Sequence, residues 1–248
     1  MKSQSGIGEL IVRLLLVVGT VGLATSTIAA APQQTEGSTS SAPLPSAKLP
    51  SQDWHPEIIV RVHNYARIDN GLLLSAEAVA TSILREAKVE ARWVYCPLTQ
   101  EEEERYPRCP ADWGTNAFVL NILTPEMVRR IQTRVENLGS APAPCDDDAT
   151  SCPINVFYFR VVQRADQVGI HPGRLLGHVL AHEVGHLLGE NHSRKGIMRG
   201  TWGRDDLKLM GFSILEFSTD QAAQLRATLL RRAARQEASR NVKLSADR

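Results

Sequence analysis

The chain has 248 residues, 43% of them hydrophobic and 22% charged, and its 28 basic and 27 acidic side chains leave a formal net charge of +1. That length and apolar content suffice for one substantial core once the ends are set aside. The near-zero charge gives no case for nucleic acid, so no nucleic-acid partner is expected.

Residues 1–31 read as a secretory signal. Lys2 and Arg13 precede an apolar run from Leu14, and Ala29, Ala30 and Ala31 offer the small residues of a cleavage region. Left uncleaved, the same run would anchor the chain, although Gly19, Thr20, Gly22, Thr25, Ser26 and Thr27 dilute it. Membrane association is expected only through that segment. Residues 32–53 are rich in Pro, Ser, Thr, Gln and Ala and read as a disordered linker or short propeptide.

A half-buried strand is predicted from Glu57, where Ile58, Val60 and Val62 alternate with Arg61 and His63. A helix follows, with Ala76, Val79, Ala80, Ile83 and Ala87 at helical spacing and Ser75 as its N-cap. Further strands are predicted over Val89 to Tyr95, Ala117 to Leu123 and Ile154 to Val162, with a helix over Pro125 to Leu138 before the last. Cys96, Cys109, Cys145 and Cys152 are even in number in a chain that reads as exported, so two disulfides are the default. Three connectivities are possible, and the local pairs Cys96 to Cys109 and Cys145 to Cys152 are favoured. Neither pair has the CxxC spacing of a structural zinc knuckle.

A helix beginning near Pro172 or Gly173 and ending at Gly189 carries the most informative stretch, His182-Glu183-Val184-Gly185-His186-Leu187-Leu188-Gly189-Glu190-Asn191-His192, which fits HExxHxxGxxH. His182 and His186 sit one turn apart, about 40° around the axis and about 6 Å along it, so two imidazoles reach one ion. Neutral imidazoles suit zinc, and a catalytic zinc keeps three protein ligands. Gly189 can take the left-handed conformation that ends a helix and swings His192 back as third ligand. Glu183, beside the first ligand, is then free to act as general base.

This pattern resembles the metzincin zinc endopeptidases, whose motif is followed by a methionine-containing turn under the histidines. Met198 is the candidate for that turn. Gly200 stands where the astacin and serralysin branches carry an extra tyrosine ligand, so the resemblance is to matrixin-like or archaemetzincin-like branches. It implies an α+β, zincin-like domain: a mixed twisted sheet of about four to five strands on two to three helices, among them the active-site helix and a C-terminal helix. It also implies a catalytic domain over 54–236 with one zinc per chain and an endopeptidase acting on peptides or proteins; residues 237–248 are expected to be a disordered tail, and the signal-like start makes the expected protein secreted, with a monomer expected. No Cys precedes Cys96, so a propeptide thiol holding the enzyme latent is not expected. An exported zinc-binding module with little activity and a hydrolase of small amides are the alternatives.

Ser218-Thr219-Asp220-Gln221 is a capping-box candidate for the C-terminal helix. His178 reads as a half-exposed helical residue rather than a ligand, whereas Glu190 or Asp205 could replace His192. The acidic runs Glu101 to Glu104 and Asp146 to Asp148 lack EF-hand spacing, so structural Ca2+ is unsupported. Trp202 is placed either in the substrate pocket or in the core, and Ile154 to Val162 is taken as the edge strand.

Overall fold

The computed structural model describes residues 55–105, 109, 114–131, 133–142 and 153–246. Residues 1–31, read as a signal, residues 32–53, read as a linker, Cys145, Cys152 and the run Asp146 to Asp148 lie outside them.

Five strands form one mixed sheet: β1 Glu57–His63, β2 Glu90–Tyr95, β3 Ala117–Ile122, β4 Gly139–Ser140 and β5 Pro153–Val156. Their order is β2-β1-β3-β5-β4, with β4 alone antiparallel to its neighbour. Alternation sets the faces. Ile58, Val60 and Val62 of β1 lie in the same buried layer as Phe118, Leu120 and Ile122 of β3 and Ile154 and Val156 of β5. The α+β architecture is completed among the described residues by helices α1 Asn70–Glu86, α2 Gln100–Arg105, α3 Pro125–Arg129, α4 Tyr158–Val168, α5 Pro172–Leu187, α6 Arg204–Met210 and α7 Thr219–Ala246. That is more helix than the two to three expected.

Helix α1 starts five residues before Ser75, because the Asp69 carboxylate accepts from the N–H groups of Gly71 and Leu72 at 2.8 and 3.2 Å and so caps the helix. It crosses α5 closely. A Cβ on Gly177 would lie 2.5 Å from the Val79 Cβ and 2.6 Å from the Ala76 carbonyl oxygen, so only glycine permits this approach.

Two sequence expectations are corrected around the sheet edge. The helix predicted over Pro125 to Leu138 ends at Arg129. Continued at 1.5 Å per residue, it would carry the chain about 14 Å further by Leu138, whereas Gly139 has to pair with Val156. Ile131 and Val135 keep helical spacing but are 39% and 82% exposed, so no buried face rewards a longer helix. The strand predicted over Ile154 to Val162 stops at Val156, and α4 begins at Tyr158. Val161 and Ala165, one turn apart, are both fully buried, and that spacing of four suits a helix. β5 is therefore an inner strand, and β4 is the edge.

At the C-terminus, Ser218 Oγ accepts from Gln221 N–H at 3.2 Å while Gln221 Oε1 accepts from Ser218 N–H at 2.9 Å, a reciprocal capping box. Helix α7 then continues to Ala246, through the tail expected to be disordered from residue 237. It is tied to the sheet end by Arg226, which donates to the Ala87 carbonyl at 2.7 Å, and by Arg232, which donates to the Thr115 carbonyl at 2.8 Å and lies over the Phe118 ring. Cys96 and Cys109 form a disulfide.

Candidate metal centre

Helix α5 is built to stop at one place. His171 Nδ1 accepts from Gly173 N–H at its start, with Pro172 in the first turn. At its end Gly189 takes φ +91°, and the N–H groups of Gly189 and Glu190 donate back to the carbonyls of His186 and Gly185 at 3.0 Å each. This Schellman arrangement reverses the chain and returns His192 to the helix.

The reversal also orients the imidazoles. The Glu190 carbonyl lies 2.8 Å from His186 Nδ1, and the Ile197 carbonyl lies 2.8 Å from His182 Nδ1. A carbonyl only accepts, so each Nδ1 carries the proton, and each neutral ring presents a bare lone pair on Nε2. Yet His186 Nε2 is 3.1 Å from both His182 Nε2 and His192 Nε2. Two bare lone pairs at that distance form no hydrogen bond. They do match the spacing of about 3.3 Å between imidazole nitrogens bound tetrahedrally at about 2.0 to 2.1 Å. His182, His186 and His192 form the only group of metal-binding side chains among the described residues. Their donor chemistry fits zinc, with carbonyls fixing two of the three rings from behind.

Beneath the triad lies residue segment 193–198. Ser193 N–H donates to the Met198 carbonyl at 2.7 Å, and Ile197 N–H to the Glu216 carbonyl at 3.0 Å, with Gly196 at φ +73°. Met198 is fully buried, and a Cβ on Gly185 would come within 2.5 Å of its sulfur. The glycine inside the motif thus lets the helix backbone rest on Met198. Gly200 packs on the His192 ring, where a Cβ would lie 3.0 Å from Cγ and Nδ1. Trp202 stands edge-on to His182 with ring centroids 5.3 Å apart; it lines the cleft and also packs, partly buried, against the core.

Glu183 is 5% exposed, and burial pushes its carboxyl up to about 8. A divalent cation in the adjacent triad would draw that value down. The carboxylate lies against β4: a Cβ on Gly139 would be 2.7 Å from Glu183 Oε1. β4 escaped the sequence reading because two residues carry no periodicity. The cleft, about 1170 Å³, runs between the triad, β4 and α4.

The alternative ligands fall elsewhere. Glu190 contributes its carbonyl to His186, and Asp205 lies in the first turn of α6. His178 is fully buried rather than half-exposed: its Nδ1–H donates to the Arg174 carbonyl at 2.7 Å and its Nε2 accepts from Leu215 N–H at 3.2 Å. Glu102 accepts from Leu98 N–H at 2.7 Å and pairs with Arg67, a structural use of that acidic run.

No protein-family model matches the chain, and no curated protein does either. Among solved structures, the archaemetzincin of Methanopyrus kandleri is similar over 73% of this chain and 99% of that one, with a TM-score of 0.39 and 14% identity. The archaemetzincin of Archaeoglobus fulgidus, complexed with malonate, is similar over 68% of this chain and 99% of that one, with a TM-score of 0.36 and 12% identity. With TM-scores this low, the functional reading rests on the geometry of the triad.

Proposed function

We propose that this chain is an exported zinc-dependent endopeptidase. The observation that carries the reading is the convergence of three histidine Nε2 atoms, 3.1 Å from His186 to each of the other two, beside a buried carboxylate at the floor of a cleft. His182, His186 and His192 would hold one zinc, which supplies a Lewis acid for the scissile carbonyl and lowers the pKa of water toward about 7.

The chain's own residues do the rest. An extended peptide adding to the edge of β4 that is unpaired among the described residues gains backbone hydrogen bonds and is laid across Glu183. Glu183 takes a proton from the attacking water and returns it to the leaving amine. Trp202 packs edge-on against His182 and limits its rotation. Met198 serves as the apolar floor, the methionine-containing turn of the metzincin resemblance. Export is supported by the signal-like residues 1–31 and by the disulfide between Cys96 and Cys109.

Digestion of a mixed peptide library by the full chain, with the products sequenced, tests this. Internal cleavage that a chelator abolishes and zinc restores is expected. Release of single terminal residues alone, or cleavage indifferent to chelator, would contradict it.

A further inference from the structure

Within the cleft, one end is charged and the other neutralised. At the neutralised end Arg199 pairs with Asp206 at 2.8 Å. At the opposite end α4 presents Arg160 and Arg164, one turn apart, and the segment before β4 presents Arg134. Arg160 Nη1 donates to the carbonyls of Arg134 and Asn137 at 2.6 and 3.0 Å, and Arg164 Nη1 donates to the Gln167 amide at 3.2 Å. These acceptors are neutral, and among the described residues no carboxylate pairs with either guanidinium; Arg160 lies over the Phe157 and Phe159 rings at 4.8 and 5.5 Å, and the Nε and Nη2 donors of both arginines have no acceptor among those residues. Glu136 is the only carboxylate lining this end among the described residues, and it is an exposed loop residue.

We propose that Arg134, Arg160 and Arg164 form a subsite for an acidic side chain of the substrate. A guanidinium fork recognises a carboxylate through paired, charge-assisted N–H bonds, and a cleft wall with an uncompensated positive charge concentrates anionic peptides at its mouth. The position follows from the chain. Asn137, held by Arg160, is two residues before Gly139, which lies against Glu183. Two residues span at most about 7 Å, so the acidic residue sits within about two positions of the bond beside Glu183. α4, which begins at Tyr158 after the strand expected over Ile154 to Val162 stops at Val156, supplies two of the three arginines.

The inference rests on the peptidase reading, and two readouts keep their failures apart. Peptide pairs identical except for Glu or Gln at each position flanking the cleaved bond are assayed with the zinc-loaded full chain for kcat/KM. The same pairs are assayed for binding with Glu183→Gln by fluorescence anisotropy, which requires no turnover. A preference for Glu of about three- to tenfold is expected at one or two positions, weakening as salt rises. It should shrink in Arg164→Gln and invert in Arg134→Glu/Arg164→Glu, while Arg160 is left in place because it holds the loop. Preferential binding of the Glu peptides without any cleavage would uphold the subsite and overturn the peptidase. Cleavage or binding with equal constants for Glu and Gln at every position, or a preference that survives both variants, would overturn the subsite alone.

Discussion

His178 and Glu77 are buried titratable residues outside the cleft, and they shift stability with pH in opposite directions. Burial lowers His178 from 6.5 to about 4, with the nearby Arg174 charge acting in the same direction and the hydrogen bond to the Arg174 carbonyl opposing it. Its stabilisation is complete above about 6.5 and is lost as pH falls toward 4. Burial raises Glu77 from 4.5 to about 7, against a hydrogen bond from Tyr95. Its contribution is complete below about 4.5 and is lost as pH rises toward 7. Urea midpoints of the metal-free protein between pH 4 and 7 check both, since zinc release would otherwise overlap the acid limb. Glu77→Gln should flatten the loss toward pH 7, and His178→Gln the loss toward pH 4, each by at most roughly 3 kcal/mol. Unchanged slopes would mean that these side chains are solvated. At this scale the sequence was most informative, since HExxHxxGxxH prescribes which side chains converge. It could not disclose Gly139 or Gly185, whose role lies in what a Cβ would strike.

Among the elements, the α1 and α5 crossing and the β4 edge make separate predictions. Gly177→Ala gains up to about 1 kcal/mol of helix propensity, but its Cβ meets Val79 and the backbone of Ala76 inside a packed crossing. Overpacking of that kind costs about 1–3 kcal/mol, so net destabilisation is expected in denaturant unfolding. A stabilised variant would show that the two helices slide apart at little cost. Gly139→Ala instead places its Cβ against Glu183 at the edge of the sheet. Zinc content should hold while kcat falls about tenfold to a hundredfold, as for a displacement near 1 Å. An unchanged kcat would separate β4 from the chemistry. The strands β1, β2 and β3 were legible because alternation or a continuous apolar run accompanies their burial. α4 was not, because Val156, Phe157, Tyr158, Val161 and Val162 make a β-favouring run, and only packing of Val161 and Ala165 selects the helix. The start of α3 was legible from Pro125, whereas two-residue β4 depends on its pairing with β5, which local pattern does not encode.

For the molecule as a whole, the Cys96 and Cys109 disulfide closes a loop of sequence separation 13 beside the sheet. A loop of that length contributes about 3 kcal/mol in the chain-entropy account. Reducing the disulfide, or replacing both cysteines by Ala, should lower the unfolding free energy by up to that amount without emptying the triad, because α5 and the 193–198 segment are held by other bonds. Loss of zinc on reduction would contradict this independence. The central claim is that Glu183 and the three histidines have different tasks in one zinc peptidase. It is tested most directly by measuring bound zinc after dialysis together with peptide cleavage, for Glu183→Ala and His192→Ala beside the parent. Glu183→Ala should keep about one zinc per chain while cleavage falls by about 10² to 10⁴, and His192→Ala should lose zinc first and activity with it. Full cleavage by Glu183→Ala, or parental zinc retention by His192→Ala, would contradict the account.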